Sequence, residues 1–256
     1  MKFRDRLYLS TIADDACEVA RRHRLGLELA QFCTAANMDD YFDEYGPQAI
    51  EHMRSARRFV FHAPFNELCP AAIDPLVLTL TRQRYLQAFA LARNLGISRV
   101  VVHTGYVPLV YHKSWMVERS IAFWKALLTE LPQDLTILLE NVMEDGPDQQ
   151  RAVAEAVDDP RLRLCLDVGH ANAECSKTPI PQWIDALAPW LSHVHLHNNE
   201  GGWDLHQNLG EGSIPMEDVL RQLESCRTDL TYTIETMHAA PSVDFLQQRG
   251  FLERDE

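Results

Sequence analysis

The sequence predicts a (β/α)8 barrel, an α/β fold in which a single domain spans residues 1–256. Short runs rich in β-branched and aromatic residues alternate with longer amphipathic stretches, as strands alternate with helices in this fold. Eight such pairs fit into 256 residues, which is the usual size of one barrel. No linker or low-complexity segment divides the chain, so we expect one domain rather than two.

The predicted strands have ordinary strand lengths. In chain order they are Leu7–Thr11, Gly26–Phe32, Phe59–Phe65, Arg99–Thr104, Leu135–Val142, Leu162–Val168, Leu191–His197 and Thr231–Thr236. The predicted helices are Ala13–Arg24, Pro47–Arg57, Asp74–Leu95, Ser114–Glu130, Pro147–Val157, Pro181–Leu187, Met216–Cys226 and Ser242–Arg249. Proline at or near several of these helix starts fits its fixed φ angle.

A doubly wound open sheet is the alternative fold for an alternating pattern. That fold often carries a glycine-rich phosphate-binding loop after its first strand. Here the first strand continues into Ser10-Thr11-Ile12-Ala13-Asp14, which contains no glycine. The barrel therefore remains the preferred prediction, and no organic cofactor is expected.

Charge and hydropathy restrict the partners of the chain. The formal net charge is −13, so most of the surface repels polyanions and a nucleic-acid partner is disfavoured. The best basic patch, Arg54, Arg57 and Arg58, is interpreted as the solvated end of a helix. No apolar run reaches the roughly 20 residues that span a bilayer, and the N-terminus lacks the apolar stretch of a secretory signal. We therefore expect a cytoplasmic protein without a membrane partner.

Ionisable side chains directly follow the apolar parts of the later strands. They are His62, His103, Glu140 and Asp167 at strands three to six, with His170 shortly after, then the histidines of strand seven and Glu235 at strand eight. In a closed parallel barrel the carboxyl ends of all strands meet at one mouth. Several carboxylates held together there repel one another, and a bound cation removes much of that cost. Mixed imidazole and carboxylate ligands suit zinc, manganese, cobalt or iron better than calcium.

Two further segments carry candidate ligands. His193, His195 and His197 alternate along strand seven, so all three point to the same side. Asp204 and His206, two residues apart in the following loop, would face one side of an extended chain.

These motifs jointly resemble the xylose-isomerase-like barrels, a superfamily that includes sugar-phosphate isomerases and epimerases and also endonuclease IV. The matching pieces are His62-Ala63-Pro64-Phe65, His103-Thr104-Gly105, Leu139-Glu140-Asn141, Asp167-Val168-Gly169-His170-Ala171, His195-Leu196-His197-Asn198, Asp204-Leu205-His206, Leu209-Gly210-Glu211-Gly212 and Glu235-Thr236. They run in family order from the third strand to the eighth. The resemblance also implies a homo-oligomer, either a dimer or a tetramer.

The two branches of the superfamily imply different ligand sets. The isomerase branch implies one divalent metal held by Glu140, Asp167, a strand-seven histidine and Glu235, with His170 facing the substrate. The endonuclease branch implies three zinc ions held by nine residues, all of the right type here: His62, His103, Glu140, Asp167, His170, His195, Asp204, His206 and Glu235. His195 matches the family position best, His197 is the alternative ligand, and His193 is expected to lie deeper.

Departures from the endonuclease pattern favour a small substrate. The chain is strongly acidic, and residues Cys33–Asp40 lack the basic and aromatic character of a DNA-bending loop. Lys177, after strand six, is interpreted as a surface lysine rather than a phosphate contact.

The preferred interpretation is therefore a metal-dependent isomerase or epimerase of a sugar or sugar phosphate. Glu140 and Glu235 would transfer a proton on the two faces of a metal-stabilised enediolate, while His170 orients a substrate oxygen. Further substrate contacts are assigned to His62, His103, His197 and Trp203. Zinc is the preferred metal, with manganese, cobalt, iron and magnesium as alternatives. Two other functions stay open, a multi-zinc hydrolase of a small phosphoester and a metal-binding barrel without catalysis.

Overall fold

Eight parallel strands close into a barrel in their sequence order in the computed structural model, which describes residues 2–253. The strands are β1 (Leu7–Ser10), β2 (Gly26–Leu29), β3 (Phe59–His62), β4 (Arg99–His103), β5 (Thr136–Glu140), β6 (Leu162–Asp167), β7 (Leu191–Leu196) and β8 (Thr231–Ile234). The predicted (β/α)8 barrel is confirmed. Residues 1 and 254–256 of the predicted domain lie outside the described part of the chain.

One α-helix follows each strand. The helices are α1 (Ala16–His23), α2 (Phe42–Met53), α3 (Pro75–Asn94), α4 (Lys113–Leu128), α5 (Asp148–Val157), α6 (Ile180–Leu187), α7 (Met216–Cys226) and α8 (Ala240–Gln248). None of the helices among residues 2–253 is both long and apolar enough to cross a membrane.

The predicted start of the second helix is wrong. The prediction placed it at Pro47, but α2 begins at Phe42, so Pro47 lies inside the helix. Proline has no N–H, and it therefore cannot bond the carbonyl four residues earlier. The Phe42 ring stacks on Phe32 with centroids 6.1 Å apart, and this tertiary contact holds the turn before the proline.

Side chains inside the barrel form stacked layers. Tyr8, Val60, Val101, Leu138 and Cys165 build one buried apolar cluster. Successive residues of a strand point to opposite faces, so the residues two positions further along point into the barrel again. On β3 to β6 those positions are the ionisable residues that end the strands. The apolar layer thus forms the floor beneath the mouth.

Arginines gather at the opposite end of the barrel. Arg21, Arg24, Arg54, Arg57 and Arg58 line one open cavity, next to the residues that precede β2 and β3. Because this is the amino-terminal end of the strands, the patch predicted as the end of a helix is remote from the mouth.

Candidate functional site

The mouth brings together the nine residues singled out from the sequence. His62, His103, Glu140 and Asp167 end their strands, His195 lies near the end of β7, and Glu235 follows β8. His170, Asp204 and His206 approach from the loops after β6 and β7.

His195 stands at the centre of three carboxylates. Its Nδ1 atom is 3.3 Å from Glu140 Oε1, 3.4 Å from Glu235 Oε2 and 3.7 Å from Asp167 Oδ2. All four residues are buried. We call Glu140, Asp167, His195 and Glu235 the central group.

The central group suits a divalent transition metal. Ligand atoms about 2.1 Å from a tetrahedral cation lie about 3.4 Å from each other, close to the spacing around His195. Neither ring nitrogen of His195 has a hydrogen-bond partner among the described residues, and neither does Glu140 Oε2. Buried polar atoms rarely lack partners. A cation bound by these donors would satisfy the Nδ1 atom of His195 and offset the repulsion between the carboxylates.

Two further donor groups adjoin the central one. Glu140 Oε2 faces His103 Nε2 at 3.4 Å and His62 Nε2 at 3.6 Å. Asp204 Oδ2 lies 3.1 Å from the Nε2 atoms of both His170 and His206.

Backbone carbonyls determine how three of these histidines are oriented. The Nδ1 atoms of His62, His170 and His206 lie 2.9, 2.9 and 2.7 Å from the carbonyls of Ala63, Asn141 and Glu235. A carbonyl only accepts hydrogen bonds, so each Nδ1 carries a proton and each Nε2 faces the cluster. Metal-binding histidines commonly show this arrangement.

The carboxylates change the protonation of the neighbouring imidazoles. Burial lowers the pKa of His62, but Glu140 more than reverses this, and the pKa rises to about 9. Burial also lowers the pKa of His206, while Asp204 raises it, again to about 9. At His103 burial prevails over Glu140 and lowers the pKa to about 3. A cation held by such imidazoles competes with protons.

His197 and His193 occupy different depths of the same face. His197 Nε2 lies 2.9 Å from Asp167 Oδ1, and its ring stacks on His206 with centroids 4.1 Å apart. Its ring leaves no room for a side chain at Gly169, where a Cβ atom would lie 1.8 Å from His197 Cε1. His193 lies deeper, bonded to Thr231 and Thr233.

Glu28 is a site residue that the sequence reasoning missed. It lies on β2, is completely buried, and places Oε1 3.3 Å from His195 Nε2. The prediction considered residues that follow an apolar run, whereas Glu28 interrupts one, between Leu27 and Leu29. A carboxylate within such a run was the available signal, since charged side chains are rarely buried without a partner.

An apolar cavity opens beside His103. It has a volume of about 290 Å³, and its walls include Phe65, Tyr106 and Val142 but no lysine or arginine. The Phe65 ring lies parallel to the His103 ring with centroids 4.3 Å apart. Trp203, assigned to substrate contact from the sequence, is 83% exposed in the β7–α7 loop, one residue before Asp204.

Sequence comparison assigns the chain to a family. The family model described as the xylose isomerase-like TIM barrel matches residues 16–254. The chain belongs to this family. The resemblance seen in the strand-end motifs is thereby confirmed.

Characterised and uncharacterised proteins are among the relatives of this xylose isomerase-like barrel. An uncharacterized protein of Methanocaldococcus jannaschii is 28% identical over 212 residues, which cover 77% of this chain and 72% of that protein. Fructoselysine 3-epimerase of Escherichia coli O157:H7 is 27% identical over 122 residues, 48% of this chain and 43% of the epimerase. A probable endonuclease 4 of Mesomycoplasma hyopneumoniae is 23% identical over 62% of each chain.

Solved structures share the architecture over nearly its whole length. A D-tagatose 3-epimerase-like protein superposes with a TM-score of 0.77 at 24% identity, covering 95% of this chain and 96% of the other, and this likeness shows the fold. A Thermus thermophilus protein, from crystals soaked with zinc chloride, has a TM-score of 0.73 at 26% identity. That match covers 98% of this chain and 100% of the other.

Proposed function

We propose that this protein is a divalent-metal-dependent isomerase or epimerase of an uncharged sugar. The observation that carries the proposal is the central group, in which two buried glutamates, Glu140 and Glu235, flank one histidine nitrogen. The fructoselysine 3-epimerase among its relatives supports the reaction class.

The protein's own residues account for the proton transfer. One glutamate takes the proton from the carbon next to a ketose carbonyl, and the electron pair of the broken C–H bond moves into the carbonyl to give an enediolate. Return of a proton to the other face of that carbon gives the epimer. Return to the former carbonyl carbon gives the isomer, with the hydroxyl proton passing from one oxygen of the enediolate to the other. We assign the two tasks to Glu140, at the end of β5, and Glu235, directly after β8.

We also assign the metal ligands and the substrate contacts of the site. Glu140, Asp167, His195 and Glu235 would hold the cation, which when bound supplies a Lewis acid that polarises the carbonyl. His170 is bonded to Asn141 and lies beside Asp204, where it would orient a substrate oxygen. His62, His103 and His197 would contact the remaining hydroxyls, and Trp203 would cover the substrate from the loop.

The charges around the mouth favour an uncharged substrate over a sugar phosphate. Lys177 is the only lysine or arginine in the eight segments that join each strand to the next helix, all within residues 2–253. Its Nζ atom already donates to the Glu174 carbonyl. Lys113, at the start of α4, is paired with Asp145 at 2.5 Å. A phosphate entering the mouth would therefore meet carboxylates but no unpaired lysine or arginine of these eight segments.

Solvent exchange in D2O tests the reaction class without knowledge of the exact substrate. The protein, loaded with zinc or manganese, is incubated with unphosphorylated ketohexoses such as D-fructose and, separately, with D-fructose 6-phosphate. We expect deuterium on the carbon next to the carbonyl for an unphosphorylated sugar and much slower exchange for the phosphate. No exchange with any ketose of the panel would contradict the isomerase assignment, and faster exchange with the phosphate would contradict the substrate class.

A multi-zinc hydrolase of a small phosphoester is the second candidate. It is favoured by the three histidines that direct Nε2 into the cluster, because a one-metal isomerase does not need them as ligands. The probable endonuclease 4 among the relatives also supports this second candidate.

Metal stoichiometry separates the two candidates. We expect about one zinc per chain in the wild type, bound by the central group, and the same value in the Asp204→Ala, His206→Ala double variant. Elemental analysis of protein purified without added metal measures both. A wild-type value of two or three that falls in the variant would favour the hydrolase, and phosphoesters would then be screened first.

A further inference from the structure

We infer that Glu28 is a positioning residue that selects the metal-binding tautomer of His195. This inference rests on the proposed function, since it assumes that the central group holds a cation. Glu28 lies on β2 and faces the Nε2 atom of His195, whereas Glu140 and Glu235 face the Nδ1 atom of the same ring. Both side chains are completely buried.

The Glu28 carboxylate is fixed at one of its two oxygens. Oε2 accepts a hydrogen bond from the Thr233 hydroxyl at 2.7 Å and faces His193 Nε2 at 3.3 Å. His193 Nδ1 in turn lies 2.6 Å from the Thr231 hydroxyl, to which Arg99 donates at 2.8 Å. A buried polar chain therefore runs from the lower part of the barrel up to Glu28.

The other oxygen of Glu28 is turned toward the histidine. Oε1 has no hydrogen-bond partner among the described residues and lies 3.3 Å from His195 Nε2. An ionised carboxylate only accepts, so it favours a proton on Nε2. The lone pair of the neutral ring is then on Nδ1, which faces Glu140 and Glu235 at 3.3 and 3.4 Å. Carboxylates behind metal-binding histidines commonly act in this way.

Glutamine at position 28 would reverse this preference with almost no change of shape. Its carbonyl oxygen can replace Oε2 as the acceptor for Thr233, and its NH2 group then faces His195 Nε2. A donor at that position requires Nε2 to accept, and the ring proton moves to Nδ1, where it blocks the cation. The new side chain is neutral, nearly identical in shape, and keeps the hydrogen bond from Thr233, so stability should fall little.

The test is zinc affinity, measured by competition with a fluorescent zinc chelator after the metal has been stripped. We expect Glu28→Gln to bind zinc about 10-fold to 100-fold more weakly than the wild type, the usual effect of losing such a partner. The matched control is Tyr8→Phe, another change inside the barrel, where the Tyr8 ring lies 6.2 Å from the His193 ring. It should bind zinc like the wild type, and the metal-free melting temperatures should be similar.

The outcomes distinguish this inference from the proposed function. If the wild type binds no zinc, the proposed metal site is wrong, and the role of Glu28 is rejected with it. If the wild type binds zinc and a folded Glu28→Gln binds it equally well, the metal site stands and the inference is overturned. Should Glu28→Gln not fold, Thr233→Val removes the hydroxyl that donates to Glu28 Oε2, while Glu28 and His195 both remain. It should also weaken zinc binding, and unchanged affinity there would overturn the inference too.

Discussion

A Glu140→Gln variant is expected to lose between about 10²-fold and 10⁴-fold of turnover, the range attributed to a general acid or base. Glu140 faces His195 with Oε1 and His103 with Oε2, so its two oxygens serve different neighbours. Glutamine keeps the shape but removes the negative charge, and its NH2 group can neither accept the substrate proton nor bind a cation. Turnover is measured with whichever ketose shows exchange in D2O.

Glu144→Gln is the matched control for this change. Glu144 is also buried, four residues further along, but its oxygens accept from the Thr104 hydroxyl at 2.5 Å and from the Val142 amide at 2.8 Å. The control should keep most of the wild-type turnover. Both variants should melt close to the wild type, since neither loses side-chain volume. Full turnover in a folded Glu140→Gln variant would refute the proton-transfer role.

A His195→Ala variant is expected to bind zinc more than about 100-fold more weakly than the wild type. This loss exceeds the one expected when a residue that only orients a ligand, such as Glu28, is changed. It removes the nitrogen around which three carboxylates are arranged. The remaining carboxylates repel one another without an imidazole between them. Chelator competition measures the affinity.

His197→Ala provides the comparison from the same strand. His197 contacts one carboxylate of the central group, that of Asp167 at 2.9 Å, and stacks on His206, whereas three carboxylates surround His195 Nδ1. We expect a smaller loss of zinc affinity than in His195→Ala, because only a partner of the ligand Asp167 is removed, together with weaker sugar binding. The opposite result, strong loss in His197→Ala and little loss in His195→Ala, would show that His197 is the ligand.

The strand-end part of the site was predictable because it depends on periodicity alone. On β5, for example, Leu138 belongs to the apolar layer inside the barrel, so Glu140 must also point inward. The closed parallel topology then carries each such residue to the same mouth.

The choice between the strand-seven histidines could not be made from periodicity. His193, His195 and His197 share one face, so the alternation treats them alike. They are distinguished by the register of β7 against β6. Asp167 pairs with His195, after a register shift between Leu164 and Cys165. Register shifts of this kind arise from packing in three dimensions.

Two other features depended on contacts distant in sequence. Glu28 becomes a site residue only through its contacts with His195 and Thr233, which lie on two other strands. The early start of α2 depends on Phe32, which precedes the helix and packs against Phe42. Local helix and strand preferences are weak compared with such contacts.

A crystal structure of the zinc-loaded protein, with anomalous diffraction data at the zinc edge, tests most directly whether the central group binds the metal. We expect an anomalous peak bounded by Glu140, Asp167, His195 and Glu235, with ligand atoms about 2.0–2.3 Å from it. Additional peaks beside His62 and His103, or beside Asp204, would indicate further metal ions and would be compatible with this site. Fully loaded crystals with no anomalous peak among these four residues would contradict the claim.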